Sequence, residues 1–104
     1  MDEAVKKKWV EALRSGQYQQ ARGAIKRTLP DGTAAYCCLG VLCVELGAEV
    51  SPTTNEAVAL FGILTPGATR RFIFLNDRGL LTFAQIADAI EAGTPFGSET
   101  ETDG

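Results

Sequence analysis

The sequence predicts a small α+β domain, mostly helical, with about four short helices and one short β-hairpin arranged around a central apolar helix at 37–46. Three observations carry this expectation. Apolar residues recur at helical spacing near both ends of the chain. Turn chemistry at Pro30-Asp31-Gly32 separates two segments able to extend. The run Cys37-Cys38-Leu39-Gly40-Val41-Leu42-Cys43-Val44-Glu45-Leu46 is apolar on almost every side, as an enclosed helix would be. A chain of 104 residues suits one ordinary domain and is too short for two. We expect that domain over 1–96, followed by a polar, acidic and disordered tail at 97–104.

The first helix is expected over 3–14. Asp2 can cap it, Glu3 lies in its first turn, and Val5, Trp9 and Leu13 recur at four-residue spacing. Ser15-Gly16 closes it, with Gly16 free to take the left-handed position. Residues 17–21 read as a second short turn of helix, broken at Gly23. The hairpin follows over 24–36. Inside the central helix, Gly40 costs roughly 1 kcal/mol against Ala, which a close backbone approach would explain. Ser51 to Asn55 is a loop that also caps a short helix over 55–61, ended by Gly62 and then Pro66-Gly67. Residues 70–75 fit a strand or a short helix, and periodicity does not decide between them. Asn76-Asp77-Arg78-Gly79 reads as a turn. The last helix, over 83–92, starts with a capping box of Thr82 and Gln85, and Phe83, Ile86, Ala87 and Ile90 form its stripe. Trp9, Leu13, Leu39, Leu42, Phe83, Ile86 and Ile90 are the expected core, each worth roughly 1.5–3 kcal/mol when buried.

Composition excludes more chemistry than it suggests. The chain has no histidine, which removes His triads, His general bases and His-containing zinc sites. Three cysteines within seven residues leave a four-ligand zinc site one ligand short, and they read as reduced, buried core residues. A catalytic thiolate would lack its usual His partner. Neither G-x-G-x-x-G nor G-x-x-x-x-G-K-[ST] is present. A calcium loop centred on Gly79 fails at three ligand positions, and no acid pair has spacing suited to general acid–base work. No catalytic residue, metal site or cofactor is therefore assigned, and the chain reads as a non-enzyme. No apolar run approaches the roughly 18 residues of a membrane helix. Met1-Asp2-Glu3 is unlike a secretory leader, so a cytoplasmic location is expected.

The net charge is −3, with 13 acids against 10 bases, but residues 1–35 are basic and the remainder acidic. A basic third on an otherwise acidic chain suits a local anion site and disfavours duplex DNA. The parts of such a site occur together at Arg14-Ser15-Gly16-Gln17-Tyr18-Gln19-Gln20-Ala21-Arg22. Arg14 and Arg22 could grip phosphate or carboxylate, Tyr18 could stack on a base, and Gln20 could read polar edges. Arg70 or Arg71 could add charge, and Asn76 or Asp77 could read a sugar or base edge. Residues 81–90 are also similar to the first helix of a DNA-binding helix-turn-helix, but Gly93, Pro95 and an acidic tail follow where a recognition helix is needed.

Three blocks together resemble a family of small proteins from tailed bacteriophages and prophages. They are Trp9-Val10-Glu11-Ala12-Leu13-Arg14-Ser15-Gly16-Gln17-Tyr18-Gln19-Gln20, then Tyr36-Cys37-Cys38-Leu39-Gly40-Val41-Leu42-Cys43, then Leu75-Asn76-Asp77-Arg78-Gly79 with Phe83, Ile86-Ala87 and Ile90. The middle section is shorter here than in that family. The resemblance implies a phage accessory protein acting in the host cytoplasm and supplies no biochemical activity. By analogy with its class, it suggests counter-defence through capture of an anionic ligand such as a nucleotide second messenger. The alternative is inhibition of a host protein through an acidic surface formed by Glu45, Glu49, Glu56, Asp88, Glu91 and the tail acids. Oligomeric state is open, because small capture proteins often place sites between subunits.

Overall fold

The fold was obtained as a computed structural model and is described for residues 2–93. The anticipated tail at 97–104 and the end of the 1–96 domain lie outside the described residues. Helix α1 (Glu3–Arg14) forms where its signals coincide. The Asp2 side chain accepts from the Val5 amide, and Trp9, Val10, Ala12 and Leu13 turn inward. Gly16 then takes φ +80°, and the chain reverses.

Residues 17–21 do not make the expected helical turn. Gln19–Gln20 form a short strand, β1, which runs parallel to β3 (Ala34–Tyr36) and continues in a bond from the Ala21 amide to the Tyr36 carbonyl at 2.8 Å. Two flanking glycines and a distant strand partner override the weak local preference. The hairpin is present as expected. β2 (Lys26–Thr28) pairs antiparallel with β3, giving the sheet order β1-β3-β2, and Asp31 in the connection accepts from both the amide and the hydroxyl of Thr33.

Helix α2 (Cys38–Glu45) is the enclosed centre, with every residue from Cys38 to Cys43 buried. Its C-terminus closes as a Schellman motif: the Ala48 amide reaches the Cys43 carbonyl, and the Gly47 amide, at φ +84°, reaches that of Val44. The Trp9 indole donates to the Cys38 carbonyl at 2.9 Å and meets Phe72 edge-on at 4.9 Å between ring centroids. Through these contacts α1, α2 and the fourth helix share one core. All seven expected core residues are buried in it.

A short helix α3 (Glu56–Ala59) is capped by Asn55. Residues 70–75 then resolve as part of a long helix, α4 (Pro66–Asp77), with Thr65 at the N-cap and Pro66 at the first turn. Pro66-Gly67 therefore starts this helix as well as ending the segment before it. Asn76 and Asp77 also belong to its last turn, and the reversal expected at 76–79 falls one or two residues later. There Leu80, not Gly79, takes the left-handed conformation at φ 57°. Helix α5 (Phe83–Glu91) carries both halves of the capping box and packs mainly on α1. The result is an α+β fold dominated by helix.

Gly40 is where the sheet side of the fold meets α2. A Cβ there would lie 2.3 Å from the Ile25 carbonyl oxygen and 3.2 Å from Tyr36 Cβ. In an open helix, Gly→Ala stabilises by about 1 kcal/mol. Here Gly40→Ala is expected to destabilise by about 1–3 kcal/mol, read as a lower urea midpoint at unchanged m-value.

Candidate functional site

The sequence proposed one anion-binding hollow, and the structure divides its residues among three places. Arg14 lies at the end of α1, with Nη2 2.5 Å from Asp88 Oδ1 and 2.9 Å from Glu91 Oε1 on α5. These contacts, that of Glu91 foremost, raise the guanidinium pKa above its usual value. Both carboxylates compete with any incoming anion, so Arg14 serves as a clasp between two helices. The Tyr18 ring stands edge-on to Tyr36 at 5.7 Å, and its hydroxyl donates to Glu45 at 2.6 Å. Burial, then Glu45, pushes the phenol up to about 12. That ring is held from the side, not presented for stacking.

Gln20, Arg22, Asn76 and Asp77 do come together, but on one another. Asn76 has no exposed surface. Its Oδ1 accepts from Gln20 Nε2 at 2.8 Å and from the Cys38 amide at 3.3 Å, while its Nδ2 donates to the Ala21 carbonyl and to Asp77 Oδ1, both at 2.8 Å. An amide has two acceptor and two donor positions, and all four are used. Gln20 Nε2 and Arg22 Nη2 also converge on the Leu81 carbonyl, at 2.8 and 3.1 Å, and the buried Arg22 Nε has no acceptor. The cluster is a structural knot whose groups face inward, and Asn76 is not placed to read a ligand edge.

Arg70 and Arg71 sit elsewhere, exposed on α4. Arg70, Phe74 and Arg78 follow at i, i+4 and i+8 along the outer face of that helix, with Arg71 beside them and exposed Leu80 just past its end. Among the described residues, none of these three arginines has a carboxylate partner. Sequence reasoning missed Arg78 and Phe74 because it left 70–75 without a secondary structure. The available signal was Thr65-Pro66, an N-cap followed by a first-turn proline, which would have set the four-residue spacing.

The other sequence readings also meet particular geometry. Asp88 and Glu91 are engaged by Arg14 and Glu45 by Tyr18, so much of the proposed acidic surface is already paired. The outer face of α5 carries Ala84, Gln85, Asp88 and Glu91 with no base, which is unsuited to reading DNA. The three thiols are free and buried. Burial pushes Cys37 up to about 12 and Cys43 to about 11, and raises Cys38 as well. Among the described residues, no group of three or more metal-ligating side chains occurs, and no helix is long and apolar enough to cross a membrane.

Comparison with known proteins adds one likeness. Residues 1–50 match a family model described as a domain of unknown function, DUF8296. That stretch runs from α1 through the sheet to the close of α2 and includes Arg14, Tyr18, Gln20 and Arg22, whereas α4 lies beyond it. No curated protein and no solved structure matches the chain.

Asn76→Ala strands the Cys38 amide and the Ala21 carbonyl and is expected to cost about 2–4 kcal/mol in urea unfolding. The thiols set an alkaline limit. Below about pH 8.5 both folded and unfolded thiols stay protonated and the fold keeps its full stability. Above that the unfolded chain ionises first, so stability falls as pH rises toward the folded values of about 11 for Cys43 and about 12 for Cys37. The urea midpoint should decline steadily from about pH 9 upward, and a Cys37→Ala/Cys43→Ala variant should flatten that decline.

Proposed function

We propose that the protein is a non-enzymatic binding protein for an anionic ligand, held on the outer face of α4. The observation that carries this reading is the set of three exposed arginines, Arg70, Arg71 and Arg78, which have no carboxylate partner among the described residues and are spaced around half-exposed Phe74. A guanidinium offers a planar fork matched to carboxylate or phosphate, and an aromatic ring between two of them adds an apolar contact and a surface for stacking. Catalysis finds little support. The chain has no histidine, its thiols are held protonated, and the Tyr18 hydroxyl is tied to Glu45. The resemblance to phage proteins extends the reading to the cytoplasm of an infected cell, where the bound anion would be withheld from a host defence.

Calorimetric titration tests this with ATP, a cyclic dinucleotide, inorganic pyrophosphate and a short poly-glutamate peptide. At least one should bind with Kd below about 100 µM at low salt and weaken as salt is added. Arg70→Ala/Arg71→Ala/Arg78→Ala should weaken that binding by at least about tenfold, since hydrogen bonds to charged groups are worth about 1.5–3 kcal/mol each. Arg14→Ala should leave it unchanged. Silence from every probe, or binding undiminished in the α4 variant, refutes the assignment.

A further inference from the structure

The first turn of α4 borders an apolar groove of about 310 Å³, lined by Phe61, Ile63, Leu64, Pro66 and Thr69. The Thr69 hydroxyl is already donated to the Thr65 carbonyl, so this residue adds no free donor to the groove. Beside it, Phe61 is 88% exposed and Val58 75% exposed, while Trp9 and Phe72 are fully enclosed. The core is complete without Phe61, and leaving such a ring in water forgoes the stabilisation its burial would give. From this groove the row Arg70, Phe74, Arg78 leads along the helix. Pro66 to Arg78 spans roughly 18 Å, about the length of three helical turns in a partner.

We propose that this continuous face receives an acidic amphipathic segment of a partner protein, with an apolar side chain seated in the groove and carboxylates on Arg70, Arg71 and Arg78. The proposal rests on the anion-binding reading of α4 and names the class of partner. Charge complementarity selects an acidic segment, because this face exposes Arg70, Arg71 and Arg78 against one half-buried carboxylate, Asp77, which already accepts from Asn76, and none of the three arginines has a carboxylate partner among the described residues. The groove selects a protein over a polynucleotide: a phosphodiester backbone has no apolar side chain to place there, and a chain of net charge −3 works against a long polyanion. Aromatic and arginine side chains of this kind are the residues that anchor protein interfaces.

Fluorescence anisotropy separates the occupants. The probe is a labelled helical peptide of about 14 residues, with Leu and Phe on one face and Glu on both flanks. A peptide with Ser replacing Leu and Phe, and an oligothymidylate of matched charge, serve as comparisons. The amphipathic peptide should bind the full chain at least about tenfold more tightly than either comparison. Phe61→Ser should remove that advantage without altering the thermal transition, and Arg70→Ala/Arg71→Ala/Arg78→Ala should weaken both peptides. Equal binding of the two peptides, or tighter binding of the oligonucleotide, overturns the proposal. A dimer in sedimentation that Phe61→Ser dissolves also overturns it, by assigning the groove to a second copy. If the arginine variant weakens every anion while Phe61→Ser changes nothing, anion binding stands and this proposal falls. If no anionic probe binds at all, both fall.

Discussion

A single buried amide holds the two halves of this fold in register. Asn76, on the last turn of α4, takes bonds from Gln20 on β1 and from the first amide of α2, and returns bonds to Ala21 and Asp77. Helix α2 needs this, because Cys37 at its N-cap supplies no side-chain hydrogen bond and its first turn is buried. An unpaired amide there would bear the full cost of leaving water. The cap that local sequence fails to provide thus comes from a residue 38 positions away. An apolar residue at 76 could fill the space but would satisfy none of the four partners.

That arrangement explains why residues with the chemistry of a ligand site do not form one. Glutamine, arginine, asparagine and aspartate are the side chains expected around a nucleotide, and they are equally the side chains able to complete a buried polar network. Residue type alone cannot separate the two uses; the position of the acceptors can. Here the acceptors are carbonyls and carboxylates of the chain itself, at 2.8–3.1 Å. Arg14 and Tyr18 follow the same logic at the surface, each finding a carboxylate on a neighbouring helix. By contrast, Arg70, Arg71 and Arg78 on α4 and at its C-cap pair with no carboxylate among the described residues, and their side chains are exposed.

What was legible in the sequence was what is encoded locally. The capping box of α5, the Asp2 cap, the Gly16 stop, the turn of the hairpin and the all-round burial of α2 each depend on residues a few positions apart. Gly40 was readable as a close approach, although its partner, the Ile25 carbonyl, was not. The failures share one cause. β1 exists because β3 lies beside it, Asn76 is buried because α2 needs an acceptor, and neither fact is written near residues 19 or 76. The exception is α4, whose Thr65-Pro66 start is readable in the sequence, where Pro66-Gly67 reads instead as the end of the preceding segment. Losing that start hid the four-residue spacing of Arg70, Phe74 and Arg78, and with it the face that the candidate site now occupies.

Helix α4 carries its structural contacts on one face and the proposed binding residues on another, and helical geometry keeps them apart. Phe72 and Asn76, which reach into the core, are separated from Phe74 and Arg78 by two residues, or about 200° around the axis. Substitutions at 70, 74 or 78 can therefore change what the outer face attracts without disturbing the Trp9–Phe72 contact or the amide knot. The reverse does not hold. A change at Asn76 loosens the last turn of α4 and the carbonyl of Leu81 that Gln20 and Arg22 share, so it would displace Arg78 as well. The proposed binding face thus depends on the buried knot for its shape, whereas the knot is complete without any ligand.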